Sequence, residues 1–148
     1  MKISTLIDTN VLIDVWGPAG RERKWSASAI TACGRDGALV INTIVWSELA
    51  PLIATEQALR QAADMLKIER EFLPWEAAFL AGVTHSRYRR AGGIRERTLP
   101  DFFIGAHAVI AGHRLLTRDA ARYRSYFPDL DIISPETHEG PGLTGKFK

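Results

Sequence analysis

Residues 3–13 read ISTLIDTNVLI, and the fold turns on how that stretch is read. A short run rich in β-branched residues is interrupted by Asp8-Thr9-Asn10 and followed at once by further apolar residues. This pattern predicts a buried strand over 3–7 that runs into a turn or helix cap at Asp8. Comparable runs recur at 39–42, 114–117 and 130–133, separated each time by longer stretches with helical spacing or helix-forming composition. Such alternation predicts an α/β domain with a central, mostly parallel β-sheet flanked by helices. Thr55 is placed to cap a helix whose Leu59, Ala62, Ala63 and Leu66 share one face. Pro74 opens another helix directed towards Gly92 and Gly93, and Gly112 closes the helix that begins near Asp101.

With 148 residues and 46% hydrophobic composition, the chain has material for one core. After Ser134 the composition turns to Pro, Gly, Thr and charge, so a single domain is expected over 1–135 and a flexible C-terminal tail over 136–148. The balance of 19 Lys and Arg against 17 Asp and Glu permits nucleic-acid binding without requiring it. The single cysteine, Cys33, excludes an internal disulfide framework, and His85, His107, His113 and His138 are scattered without zinc-ligand spacing. His107 reads simply as a helix residue. The apolar N-terminus is interrupted by Asp8 too early for a secretory segment or a membrane span. The expectation is a cytoplasmic protein in a reducing compartment, with no membrane contact.

Four acidic residues stand out, each with a purely structural alternative. Asp8 follows the first strand, where it caps a helix or, at the carboxyl end of a parallel strand, faces a ligand. Glu48 lies on a helix starting near Thr43, in line with Ile44, Val45 and Leu52, so it either faces inward and needs a cationic partner or reaches water from the edge of the stripe. Pro51 disturbs the register of that helix. Asp101 completes a capping box with Thr98, and it also heads an inward face continued by Ile104, Gly105 and Ala108. Asp119 follows the strand ending at Thr117 and either caps the segment 120–127 or joins the other acids. Two acids at strand ends and two on inward helix faces would converge. Clustered carboxylates call for a hard cation such as Mg²⁺ or Mn²⁺, which activates water against a phosphodiester. Neither a G-x-S-x-G elbow nor a P-loop is present.

In order along the chain, D-T-N at Asp8 to Asn10, W-S-E-L-A around Glu48, L-P-D-F-F-I-G-A-H-A from Leu99 and L-L-T-R-D ending at Asp119 resemble the PIN-domain pattern, in particular that of VapC toxins. The likeness spans nearly the whole chain, up to Pro135. It implies that Asp8, Glu48, Asp101 and Asp119 are the catalytic residues of an endoribonuclease, with Asp8, Asp101 and Asp119 holding Mg²⁺, for which Mn²⁺ substitutes. It implies that Thr9, Asn10 and Thr117 support the site. It also implies a homodimer, an RNA substrate and a cognate antitoxin whose C-terminal segment wraps the toxin and blocks the acidic pocket, as in a type II toxin-antitoxin pair.

Two rival functions draw on the same residues. A receiver-like signalling domain also gathers acids and Mg²⁺ at strand ends, but it needs paired acids near the first strand and a late lysine. A PIN fold reduced to a non-catalytic binding module would not need all four acids. The basic run Arg87-Tyr88-Arg89-Arg90, with Arg95 and Arg97, either steers RNA or is a solvated helix end, with Tyr88 available to stack on a base. Trp16, Trp25, Trp46 and Trp75 read as core or interface anchors, and the region of Leu49, Leu52 and Ile53 as an apolar groove for a partner.

Overall fold

The computed structural model describes residues 2–18, 20, 22–92 and 98–139. Five strands, β1 (Thr5–Ile7), β2 (Leu39–Asn42), β3 (Ile68–Glu71), β4 (Arg114–Leu116) and β5 (Ile132–Ile133), form one sheet in the order β3-β2-β1-β4-β5, and every neighbouring pair is parallel. Between them run α1 (Thr9–Trp16), α2 (Arg23–Asp36), α3 (Thr43–Leu49), α4 (Glu56–Met65), α5 (Trp75–Arg90), α6 (Leu99–Ala111) and α7 (Ala121–Arg124). The α/β architecture agrees with the expectation from the sequence. Every residue of β1, β2 and β4 is buried, as it must be when helices cover both faces of a parallel sheet.

The first strand is shorter than the apolar run that announces it, and β3 has no counterpart in the sequence reading. Its Ile68-Glu69-Arg70-Glu71 buries only the isoleucine. An edge strand has one neighbour and little apolar surface to hide, and charges along it discourage further strand addition. The helix boundaries follow local chemistry. The Thr55 side chain accepts from Ala58 N at 3.1 Å, and Gly112 ends α6 at φ 74°, a conformation that costs residues with a Cβ. Helix α5 stops at Arg90, just ahead of Gly92, while Gly93 lies outside the described residues. Gly105 serves a different purpose: a Cβ there would collide with the Phe127 ring, so its absence lets the segment after β4 close onto α6.

Beyond Pro135 the described chain remains packed. Ser134 O accepts from His138 N at 2.8 Å, and the Trp25 indole donates to His138 O at 2.7 Å. The rest of the expected tail, residues 140–148, lies outside the described residues. Among the described residues no helix is long and apolar enough to cross a membrane.

Candidate active site

From β1 the sheet grows outward in both directions, through β2 to β3 on one side and through β4 to β5 on the other. Such a switch point opens a crevice at the carboxyl ends of the two central strands. Asp8 directly follows β1 and Asp119 lies just past β4, the two chain segments being tied there by Asp8 N donating to Leu116 O at 2.9 Å.

Asp8 is only 2% exposed, yet its carboxylate is fully engaged on one side and open on the other. Oδ2 accepts from Thr117 Oγ1 at 2.8 Å, Tyr123 OH at 2.9 Å and Asn10 Nδ2 at 3.3 Å. Among the described residues Oδ1 accepts only from Thr9 N, at 2.7 Å, which makes Asp8 the N-cap of α1 and leaves that oxygen a spare lone pair. Burial pushes the Asp8 carboxyl up to about 6, against the hydrogen bonds from Thr117 and Tyr123 and the charge of Arg122. Burial, and then the negative charge of Asp8, raise the Tyr123 phenol well above its ordinary value, so it stays a donor.

Glu48 is exposed, so of its two readings the inward-facing one is corrected and the one that reaches water from the edge of the stripe holds. The stripe is Val45 and Leu49; Pro51 turns the chain into a 3₁₀ segment over Ala50–Leu52, so Leu52 no longer continues the helical register. Glu48 stands instead at the rim of the crevice, held by Thr9 Oγ1 at 2.6 Å. Asp101 sits in the first turn of α6, and its Oδ2 accepts from Thr98 N at 3.3 Å. Asp119 Oδ1 accepts from Arg122 N at 3.3 Å at the entry to α7. Capping and convergence are therefore compatible in this fold.

Asp8, Glu48 and Asp101 line one cleft of about 410 Å³ together with Thr9, Asn10, Ile13 and Arg122. Asp119 is not part of that lining; Arg122 joins it to the others, with Nε 3.2 Å from Asp119 Oδ2 and Nη1 3.3 Å from Asp101 Oδ1. Burial opposes the Arg122 charge, but Asp101, and then Tyr123, Asp119 and Asp8, outweigh it and raise its pKa. Sequence reasoning passed over this arginine. The signal was its position three residues after Asp119, within the short helix α7 that Asp119 precedes.

The histidines correct the sequence reading further. His107 is fully buried, and together with His113 it converges on Glu71 Oε1, each Nε2 at 2.8 Å. These three groups have the composition of a metal site. Hydrogen bonding argues otherwise. Asn42 Oδ1 accepts from Val45 N at 3.0 Å as the cap of α3, so Asn42 Nδ2 donates to His107 Nδ1 at 3.1 Å and the His107 proton resides on Nε2. A metal on Nε2 would force a proton onto Nδ1, facing the amide donor. Burial opposes the Glu71 charge, but the bonds from His113 and His107 hold its carboxyl below the ordinary value, while burial keeps the His107 imidazole low. A hollow of about 640 Å³ beside Glu71 is larger than the acidic cleft, but no member of the acidic quartet lines it.

Tyr88 is buried against Phe102 and Tyr126, with ring centroids 5.6 and 5.1 Å away, so it does not offer a stacking platform for a base. Arg87, Arg89 and Arg90 are exposed at the end of α5, which packs on the first turns of α6 through His85 and Tyr88 against Phe102. They thus lie at the Asp101 end of the helix pair; Arg95 and Arg97 fall outside the described residues. Leu49 is fully buried, and only Leu52 of the expected apolar groove is exposed, at 38%. Among the described residues the strongly exposed apolar side chains are instead Met65, Phe72, Trp75 and Phe79. Of the tryptophans, Trp25 anchors the core, Trp46 lies beneath Arg70, and Trp75 stands free of the core.

The family profile described as PIN domain matches residues 5–127. Among solved structures, the chain is similar to a toxin-antitoxin complex from Klebsiella pneumoniae, at 25% identity and a TM-score of 0.65, over 88% of this chain and 97% of that one. It shares its fold with VapBC2 from Rickettsia felis bound to a DNA fragment from the promoter, at 15% identity and a TM-score of 0.67 over 89% and 98% of the two chains. It likewise shares it with DNA-bound VapBC from Salmonella typhimurium, at 19% identity and a TM-score of 0.64 over 89% and 98%. No curated protein matches the sequence significantly.

Proposed function

The chain belongs to the PIN-domain family, and from that premise we propose that it is a Mg²⁺-dependent endoribonuclease, the toxin of a type II toxin-antitoxin pair. The observation that carries this reading is the convergence of Asp8, Glu48 and Asp101 on one cleft, with Asp119 joined to it through Arg122. The donor set is oxygen throughout, and Asp8 Oδ1 retains a lone pair while buried from water, which fits a hard divalent cation and disfavours a soft one. Asp8, Asp101 and Asp119 are the residues to hold it. Bound there, Mg²⁺ or Mn²⁺ would supply a water of lowered pKa and neutralise charge on the phosphodiester.

The protein's own part is positioning. Thr117 and Tyr123 fix Asp8, and Thr9 bridges from the Asp8 cap to Glu48, holding that carboxylate at the rim, where it can orient the attacking water. The exposed Arg87, Arg89 and Arg90 offset the repulsion between an acidic cleft and an RNA backbone. An antitoxin partner is supported by the likeness to the Klebsiella complex. The exposed Phe72, Trp75 and Phe79 offer apolar surface for a second subunit, in a protein acting in the cytoplasm.

The test is cleavage of a structured RNA by purified protein. Activity is expected with Mg²⁺ or Mn²⁺, none with EDTA, and products ending in 5′-phosphate and 3′-hydroxyl. A 2′,3′-cyclic phosphate would mean attack by the ribose hydroxyl and would sink the water mechanism.

A further inference from the structure

The acidic cleft contains a cation of its own. Arg122 bridges carboxylates from two separate elements, Asp101 on α6 and Asp119 after β4, at 3.3 and 3.2 Å. Neither contact is well formed. Charge-assisted N–H···O⁻ bonds run nearer about 2.7–2.9 Å by general experience. The Nε donor, although close to Asp119, makes no hydrogen bond and is buried. Other arginines of the chain do better: Arg118 Nε donates directly to Asp14, and Arg114 Nη2 donates to Asp36 at 3.0 Å.

The backbone at this point is pinned, because the neighbouring Tyr123 is 1% exposed and bonded to Asp8. The Arg122 side chain is not pinned, being 32% exposed. It is kept in place by the summed field of the acids more than by directed bonds, and a stronger cation competes for the same oxygens.

Resting on the reading of this cleft as a metal centre, we propose that Arg122 is a displaceable internal counter-ion, tying Asp101 to Asp119 until a divalent cation takes those carboxylates. The arginine lowers metal affinity by the free energy of the contacts it gives up, and metal binding releases the guanidinium towards solvent and substrate. The metal-free protein is thereby spared the repulsion of an unneutralised cluster.

The experiment is titration of the full-length chain with Mn²⁺, following free Mn²⁺ by electron paramagnetic resonance. Arg122→Ala is expected to bind Mn²⁺ about tenfold more tightly than wild type, within the usual range of coupling between competing ligands. Arg122→Lys should fall between the two. Arg124→Ala makes the same charge change on the same helix but, among the described residues, removes an ion pair with Glu136 alone, at 3.7 Å, and should stay within about twofold of wild type. Should Arg122→Ala not fold without metal, the wild-type protein still decides: saturating Mg²⁺ is expected to shift the Arg122 Nε–H resonance. Equal saturable binding by wild type and Arg122→Ala, or an unmoved resonance, overturns the role of Arg122 alone. Unchanged Mn²⁺ affinity with a raised KM for RNA also overturns it, making the residue a phosphate contact instead. Absence of saturable Mn²⁺ binding in both proteins defeats the metal-centre reading and the counter-ion with it.

Discussion

Two regions of this molecule gather titratable side chains, and they differ in how completely those groups satisfy one another. In the Glu71, His107 and His113 cluster, each imidazole gives one N–H to the same carboxylate oxygen, and Asn42 and Ser4 meet the remaining ring nitrogens. In the cleft at the ends of β1 and β4, the carboxylates outnumber the cations, Asp8 keeps an open lone pair, and Arg122 makes long contacts with an idle donor. The histidine cluster has the ligand types that suggest a metal but a closed proton arrangement. The acidic cleft has unspent acceptors. Residue type alone favours the histidine cluster; the accounting of donors and acceptors favours the cleft.

The sharpest way to break this comparison is Asp8→Asn. If the cleft is the reactive region, RNA cleavage should fall on the order of a thousandfold or more, the scale of losing preorganised transition-state stabilisation. An asparagine in that place can still cap α1, so a mere capping role predicts persistent cleavage. The same variant should lose the rise in melting temperature that Mg²⁺ gives wild type by mass action. Calorimetry with EDTA and with Mg²⁺ reads that directly.

A second effect, in stability, comes from the buried charge. The folded-state pKa of Asp8 is raised from 3.8 to about 6, so the folded form binds this proton more tightly than the unfolded chain does. The resulting stabilisation is fully present below about pH 4 and is lost as pH rises through about 6. At about 1.4 kcal/mol per pKa unit, the metal-free wild type should lose up to about 3 kcal/mol relative to Asp8→Asn between about pH 4 and pH 7.5. Urea unfolding of both proteins in EDTA across that range measures the gap, and a constant gap would mean that Asp8 is not held in the environment described.

The smallest expected effect belongs to the other region. Glu71→Gln keeps an oxygen able to accept from both histidines, and Glu71 is partly exposed, so the stability cost should be about 1 kcal/mol or less. Cleavage and the Mg²⁺-induced melting shift should be unchanged. A divalent-metal response that disappears in Glu71→Gln and survives in Asp8→Asn would reverse the comparison.

By itself, the sequence carried the elements whose signals are local. The apolar runs before Asp8 and Asp119, the Thr55 cap and the Gly112 stop each state their structure within a few residues, because strand burial and capping depend on immediate neighbours. The acids, too, could be named from their positions after strands and within short motifs. Tertiary structure alone decided what depends on distant partners. It made Glu71 to His107 a contact across 36 residues, chose the rim over the core for Glu48, buried Tyr88 among aromatic rings, and set Arg122 between two acids. An edge strand as charged as β3 carries no apolar period to read, and an arginine's choice of carboxylate is settled only when separate elements arrive at the same place, because Coulombic pairing follows distance in space and not spacing along the chain.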